Sequence, residues 1–242
     1  SADSLVVGVT DGCGGEDLVT IDVTIQACPN LLIDNFDGYV DQSDFESVWI
    51  DTLNSSYYWA ATGGNPSGVL MMPSPSANYQ GRYYRNLGGD FNGSDTAPLT
   101  LTFDLWLDSA GAPGWSGARH FVELRGYSDD EYGSGALENL VAIGVNNTSA
   151  DAFSTLKYQG RVLYGANWQT LDEGSAPDRV GGWVQLKIEV TTSQVRFYVN
   201  GILSETEARP NSYGFDCVLV GADLTAAGFA ARVDNLQVIC GE

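Results

Sequence analysis

Apolar and polar residues alternate with a period of two along much of this chain. In PLTLTFDLWLD, Leu99, Leu101, Phe103, Leu105 and Leu107 fall on one side, and Thr100, Thr102, Asp104, Trp106 and Asp108 on the other. A strand with one face in a core and one toward solvent has this pattern. WVQLKIEV repeats it through Val184, Leu186, Ile188 and Val190, and QVRFYV through Val195, Phe197 and Val199. Thr191-Thr192-Ser193 is short enough for a tight hairpin, and Asn200-Gly201 suits the next turn. Further strands are predicted at LLIDNF, FESVWI, YYWAA, GVLMM, RHFVELR, ENLVAIGV, LKYQGRVLY, CVLVGA and FAARVDNLQVI. No long helical period interrupts them. About a dozen antiparallel strands of this kind predict an all-β domain of two stacked sheets rather than a small barrel.

Composition narrows the partners. The 242 residues hold 31 acids against 11 bases, a net charge of −20. Nucleic acid is excluded as a partner, because phosphate binding needs a positive stripe. No apolar run of membrane-spanning length occurs, so no insertion into a membrane is expected. Ser1 reads as a processed start, and the expected location is extracellular or at a cell surface. Glycine is abundant at 29 residues, and Val, Thr and aromatic residues favour sheet.

Three segments carry a family resemblance: LLIDNFDGY, GGWVQLKIEVTTSQVRFYVNGIL and ARVDNLQV. Together they resemble the concanavalin A-like lectin/glucanase jelly roll, most closely its laminin-G-like and bacterial surface versions. The resemblance implies a two-sheet antiparallel jelly-roll sandwich over residues 29–242 and no particular activity, since this fold hosts lectins, hydrolases, lyases and inert modules. The preceding VTDGCGG and DLVTIDVTI are similar to the last hairpin of a PKD-type or other immunoglobulin-like repeat. Residues 1–28 are therefore expected to form a separate β-hairpin arm. An isolated hairpin is marginal in water and its edges invite pairing.

Four cysteines in an exported, Gly-rich chain point to disulfides. Cys13–Cys28 is disfavoured, because the extended run between them covers roughly 35 Å and bridged Cα atoms lie within about 7 Å. In the jelly roll the terminal strands are usually antiparallel neighbours, which implies Cys28 opposite Cys240. Cys13 is then left for Cys217, within the chain or between copies, unless its partner lies elsewhere.

Candidate sites follow from the strand faces. Asp104 and Trp106 share one face, Phe121, Glu123 and Arg125 another, and Lys157, Gln159 and Arg161 a third. If these strands are neighbours, they form one aromatic and charged surface suited to a glycan. The plainer reading is a solvated sheet face with cross-strand ion pairs. Asp104 and Glu123 are the one candidate carboxylate pair for glycosidase chemistry. Yet the glucanase pattern E-x-D-x-x-E is absent, and VELR only faintly resembles an alginate-lyase strand whose partner motifs are missing. His120 alternates with Val122 and Leu124 and is expected in the core. Calcium is the candidate cofactor, held by Asp34, Asp37 and Asp234 near the terminal strands or by Asp129 and Asp130 in the SDDEYGSG loop. Sequons begin at Asn54, Asn92, Asn146 and Asn147.

These features give a first reading and an alternative. The first is an extracellular, non-catalytic structural or adhesive subunit that pairs with copies of itself or other surface modules, assembled by strand addition from the hairpin arm. The alternative is a carbohydrate-binding module of a secreted glycan-active protein, with a glycan hydrolase or lyase behind it.

Overall fold

The computed structural model describes residues 2–10, 16–24, 30–52, 57–72, 81–108, 119–146, 156–163, 168–222 and 230–240. The first two strands, β1 (Ala2–Thr10) and β2 (Glu16–Thr24), pair antiparallel from Ala2↔Thr24 to Thr10↔Glu16 and form a two-stranded sheet of their own. The arm expected from the sequence is thus a hairpin. Its cysteine, Cys13, and Cys28 beyond it lie outside the described residues.

The remaining strands make two sheets. One has seven strands: β12 (Gln169–Thr170), β11 (Gln159–Val162), β10 (Leu137–Asn146), β9 (Arg119–Tyr127), β16 (Phe215–Ala222), β7 (Gly81–Phe91) and β4 (Ile50–Asp51), in that spatial order. The other runs β15 (Ile202–Ala208), β14 (Gln194–Val199), β13 (Gly182–Val190), β8 (Leu99–Leu107), β17 (Ala231–Cys240), β6 (Val69–Met72), β5 (Tyr58–Ala60). A further strand, β3 (Asn30–Asp34), shares the second edge of β17 with β6. The terminal strands are therefore antiparallel neighbours, with Leu236 opposite Asp34 and Val238 opposite Leu32.

Alternation explains how the sheets stack. Every odd residue of β8 from Leu99 to Leu107 is fully buried. These side chains meet Val122, Leu124, Val141, Ile143 and Val145 of the seven-stranded sheet in one continuous core, with Leu186, Ile188 and Phe197 beside them. At about 25 cal/mol per Å² of apolar surface removed from water, this core is the dominant favourable contribution to the fold. Asn200 and Gly201 turn β14 into β15 with φ of 49° and 75°, the left-handed pair that a two-residue hairpin requires.

Two parts of the sequence reading are corrected here. FESVWI is not a strand. Its first residues end helix α1 (Gln42–Glu46), whose N-cap Asp41 accepts from the Asp44 N–H at 2.9 Å. Phe45 and Trp49 are four residues apart, a helical spacing, and their rings stack at 6.2 Å in the core. Conversely, GRYYRNLGGDF, which lacks a regular alternation, is β7, the longest strand among the described residues at 11 residues.

Candidate functional site

The two outer faces of the sandwich differ. On the eight-stranded sheet, Arg232 lies over the Trp106 ring at 4.2 Å and Trp183 stands opposite Trp106. Further along, Glu189 accepts from Lys187 at 3.4 Å and from Arg196 at 2.9 Å, and Lys187 sits 3.8 Å from the Tyr198 ring centroid. This is the plain solvated face with cross-strand pairs. Asp104 belongs to it, accepting from Asn235 Nδ2 at 2.9 Å and Asn65 Nδ2 at 3.3 Å.

Phe121, Glu123, Arg125 and Arg161 lie on the other sheet, so the surface expected from the sequence is divided between opposite sides of the molecule. The reason is topological: β8 pairs with β13 and β17, whereas β9 pairs with β10 and β16. Asp104 and Glu123 consequently cannot flank one glycosidic bond, and the carboxylate pair is withdrawn.

The outer face of the seven-stranded sheet has a different character. Arg161, Ala142, Glu123, Leu219, Tyr84 and Ile50 stand in one register line across five strand pairings. The next line carries Leu140, Arg125, Cys217 and Asn86. Residues 120–127 and 139–146 are buried on both faces, so side chains cover the outside of β9 and β10 as well as the inside. On one side the cover is Trp168, packed 4.7 Å from Phe121 with Leu140, Ala142 and Leu163. On the other side it is Tyr132, from the loop joining β9 to β10. Tyr132 stacks on Tyr84 at 4.2 Å and meets Tyr127 edge-on at 5.6 Å. Arg82 Nη1 donates to the Tyr132 hydroxyl at 3.0 Å.

Between these clusters sits an ion pair. Arg125 Nε donates to Glu123 Oε2 at 2.6 Å, and Arg125 Nη1 donates to the Tyr127 hydroxyl at 3.2 Å. Both side chains are nearly sealed, at 10 % and 2 % exposure. Burial opposes the charge on Arg125, but Glu123 and Tyr127 outweigh it, and the guanidinium is held more firmly protonated than in water. Burial likewise raises the Tyr84 and Tyr127 hydroxyls above their ordinary value. The pair is thus a fixed dipolar centre, and the half-buried Tyr84, Tyr132, Asn86 and Arg161 around it remain reachable.

Most of the calcium candidates are engaged by donors of the chain itself. Asp34 accepts from Phe36 N–H and Trp49 Nε1, both at 2.8 Å, from Arg85 at 3.4 Å and from the Tyr39 hydroxyl, which occupies its lone pairs. Asp37 accepts from Gly68 N–H at 2.6 Å and from Ser67, while Asp234 holds the N–H groups of Asn65 and Asn235. Asp129 binds the hydroxyls of its own loop, Ser128 at 3.5 Å and Ser134 at 3.2 Å, and Asp130 turns that loop with φ of 57°. Among the described residues no group of three or more His, Cys, Asp or Glu side chains is placed to hold a metal ion.

The cysteines meet expectation in part. Cys240 is disulfide-bonded. Cys217 is a free thiol, fully buried with its Sγ 3.7 Å from the Arg125 carbonyl, so the expected bridge to Cys13 within the chain is not formed. His120 is buried at 2 % exposure, as its alternation implied. Of the sequons, Asn146 is 1 % exposed and inaccessible as an acceptor. Tyr84, Tyr132, Arg82 and Asn86 escaped the sequence reading, the first, third and fourth because β7 did. The usable signal was the Tyr-Tyr pair of GRYYR beside the lone tyrosine of SDDEYGSG.

No protein-family description matches this chain, and no curated protein matches it by sequence. Solved structures do match by shape. A sialidase aligns over 97 % of this chain and 21 % of its own, with a TM-score of 0.50 and 11 % identity. A GlcNAcα1-4Gal-releasing endo-β-galactosidase from Clostridium perfringens aligns over 88 % of this chain and 63 % of its own, at 0.56 and 12 %. The laminarinase catalytic domain of Thermotoga maritima aligns over 90 % of this chain and 100 % of its own, at 0.57 and 12 %. The fold is a two-sheet antiparallel jelly-roll sandwich, as in these structures. At such identities the likeness concerns the fold alone, and the chain spans only part of the first two proteins. Among the described residues no helix is long and apolar enough to cross a membrane.

Proposed function

We propose that the chain is a carbohydrate-binding module that takes a glycan on the outer face of its seven-stranded sheet. This favours the alternative of the two sequence-based readings over a structural subunit. One observation carries it: Tyr84, Tyr127 and Tyr132 gather around the Glu123–Arg125 pair on one face. Aromatic rings stack on the apolar side of a pyranose, and fixed charged groups orient its hydroxyls. The aligned proteins support the reading, since a sialidase, an endo-β-galactosidase and a laminarinase are named for action on glycans. A bonded Cys240 suits an oxidising, secreted setting. The test is affinity electrophoresis against a panel of soluble polysaccharides. Wild type is retarded by at least one polymer, and Tyr84→Ala and Tyr132→Ala release that retardation while keeping the wild-type melting transition. Absence of retardation across the panel rejects the reading.

The hairpin supports a second reading. Among the described residues, β1 and β2 belong to neither large sheet, and strand addition to another copy would pair their outer edges. Sedimentation of the intact chain and of a chain lacking residues 1–28 tests it: assemblies that vanish with the arm support strand addition, and monomers in both cases reject it.

A further inference from the structure

A cavity separate from the glycan face opens between β3 of the eight-stranded sheet and β7 of the seven-stranded sheet. Ile33, Asp34, Gly38, Tyr39, Val48 and Arg85 line it, its volume is about 290 Å³, and it is open to solvent. Ligand cavities begin at roughly 300 Å³, so this one admits a single small molecule rather than a chain. Arg85 is its open group. Arg85 Nη1 approaches Asp34 Oδ2 at 3.4 Å, and among the described residues Arg85 has no other hydrogen bond or ion pair. A charge-assisted bond normally closes to about 2.7–2.9 Å. The sealed Arg125–Glu123 pair closes to 2.6 Å, whereas Arg85 keeps 34 % of its side chain exposed beside the cavity. Asp34 is satisfied without it, accepting from the Phe36 N–H and Trp49 Nε1, both at 2.8 Å, and from the Tyr39 hydroxyl. Most of the guanidinium's N–H donors are therefore left for a ligand.

The other side chains of the cavity decide what that ligand is. The Asp34 lone pairs are taken, the Tyr39 hydroxyl proton is spent on Asp34, and Asn35 Oδ1 faces the Asp37 N–H at 3.4 Å. The lining side chains thus offer donors and few free acceptors. A sugar hydroxyl or an amide both donates and accepts, and here its own proton would go unpaired; an ionised carboxylate only accepts, and it matches the guanidinium fork. A phosphate dianion would bring a second charge beside Asp34 in a protein of net charge −20. Ile33, 56 % exposed, and Val48 add apolar surface that a ligand's hydrocarbon body can cover.

We infer that this cavity binds a small organic acid, with its carboxylate on the Arg85 fork and its apolar body against Ile33 and Val48. The experiment is NMR titration of the intact chain with benzoate and with benzamide, its uncharged isostere. Benzoate should shift the arginine Nε–H signal that Arg85→Lys removes from the spectrum, and should bind about tenfold or more tightly than benzamide. Arg85→Lys keeps the positive charge without the fork and should weaken benzoate about tenfold while leaving benzamide as in wild type. A Cβ at Gly38 meets no atom of the chain within 4 Å. Gly38→Trp should therefore melt like wild type and, by adding bulk to the lining, abolish benzoate binding. Equal affinity for benzoate and benzamide, no detectable binding of benzoate, or wild-type benzoate affinity in Arg85→Lys or Gly38→Trp overturns the inference. None of these outcomes bears on the glycan reading, which rests on Tyr84, Tyr127 and Tyr132 and is tested with polysaccharides.

Discussion

Replacing Asp234 by Asn should flatten part of the pH dependence of stability. Asp234 is fully buried, pairs across the sheet with Asp104, and holds the loop around Asn65 through the Asn65 N–H. Burial is the first cause that raises its carboxyl, the N–H groups of Asn65 and Asn235 pull it back, and the charges of Asp37 and Asp104 raise it again; it is pushed up to about 6. The unfolded value is near 3.8. The folded chain therefore holds this proton more tightly than the unfolded chain does. The stability it contributes is fully present below the unfolded pKa and is lost as pH rises through 6. From the two values, the contribution falls by about 2 kcal/mol between pH 4.5 and 7.5. Asparagine has the same shape and cannot ionise. It keeps one acceptor for a backbone N–H and loses the other, at a roughly pH-independent cost of about 1 kcal/mol. Urea unfolding of both proteins across this range, taken as a difference, cancels the groups they share. Wild type should lose about 2 kcal/mol relative to Asp234→Asn as the pH climbs. A difference that stays constant across the range would refute the reasoning.

Three further outcomes are expected. Glu123→Leu leaves the Arg125 guanidinium buried without its counter-charge and should cost about 3–5 kcal/mol in chemical denaturation, whereas Glu123→Leu with Arg125→Leu should cost clearly less than the sum of the singles; additive losses would contradict a coupled pair. Gly221→Ala would place a Cβ 2.1 Å from the Gly81 carbonyl at a φ of 128°, and a melting point unchanged from wild type would show that the backbone there relaxes freely instead of losing about 2 kcal/mol or more. Cys217, buried and with its thiol pKa pushed up by burial and by Asp216, should resist alkylation in the native protein and react fully in denaturant, as peptide mass spectrometry would record.

The sandwich was legible wherever one face of a strand is wet. β8, β13 and β14 alternate without a break, because their outer faces meet solvent and their inner faces the core. β7 is different: it carries Arg82, Tyr84 and Asn86 on a face that is partly covered, together with glycines at 81, 88 and 89, and such a strand shows no simple period. FESVWI misled because Phe45 and Trp49 satisfy a helical spacing within a stretch that also looks β-prone. The site suffered more. Glu123, Arg125 and Arg161 were correctly assigned to strand faces, but the partition of strands between the two sheets depends on long-range pairing. No local pattern states that β8 neighbours β17, some 130 residues later, rather than β9. The aspartates at 34, 37 and 234 were near the terminal strands as expected, and each turned out to be spent on neighbouring N–H and O–H groups.

The placement of β17 has a consequence for biosynthesis. It fills the middle of the eight-stranded sheet, with β8 on one edge and β3 and β6 sharing the other. A ribosome delivers those three strands long before it delivers their common neighbour. Until Cys240 emerges, the nascent polypeptide carries two half-sheets with an open slot and an uncovered apolar surface, the condition in which chaperones bind and aggregates start. Folding must therefore await the end of β17, and a stop codon even a few residues upstream of it would forfeit the whole sandwich rather than trim its rim.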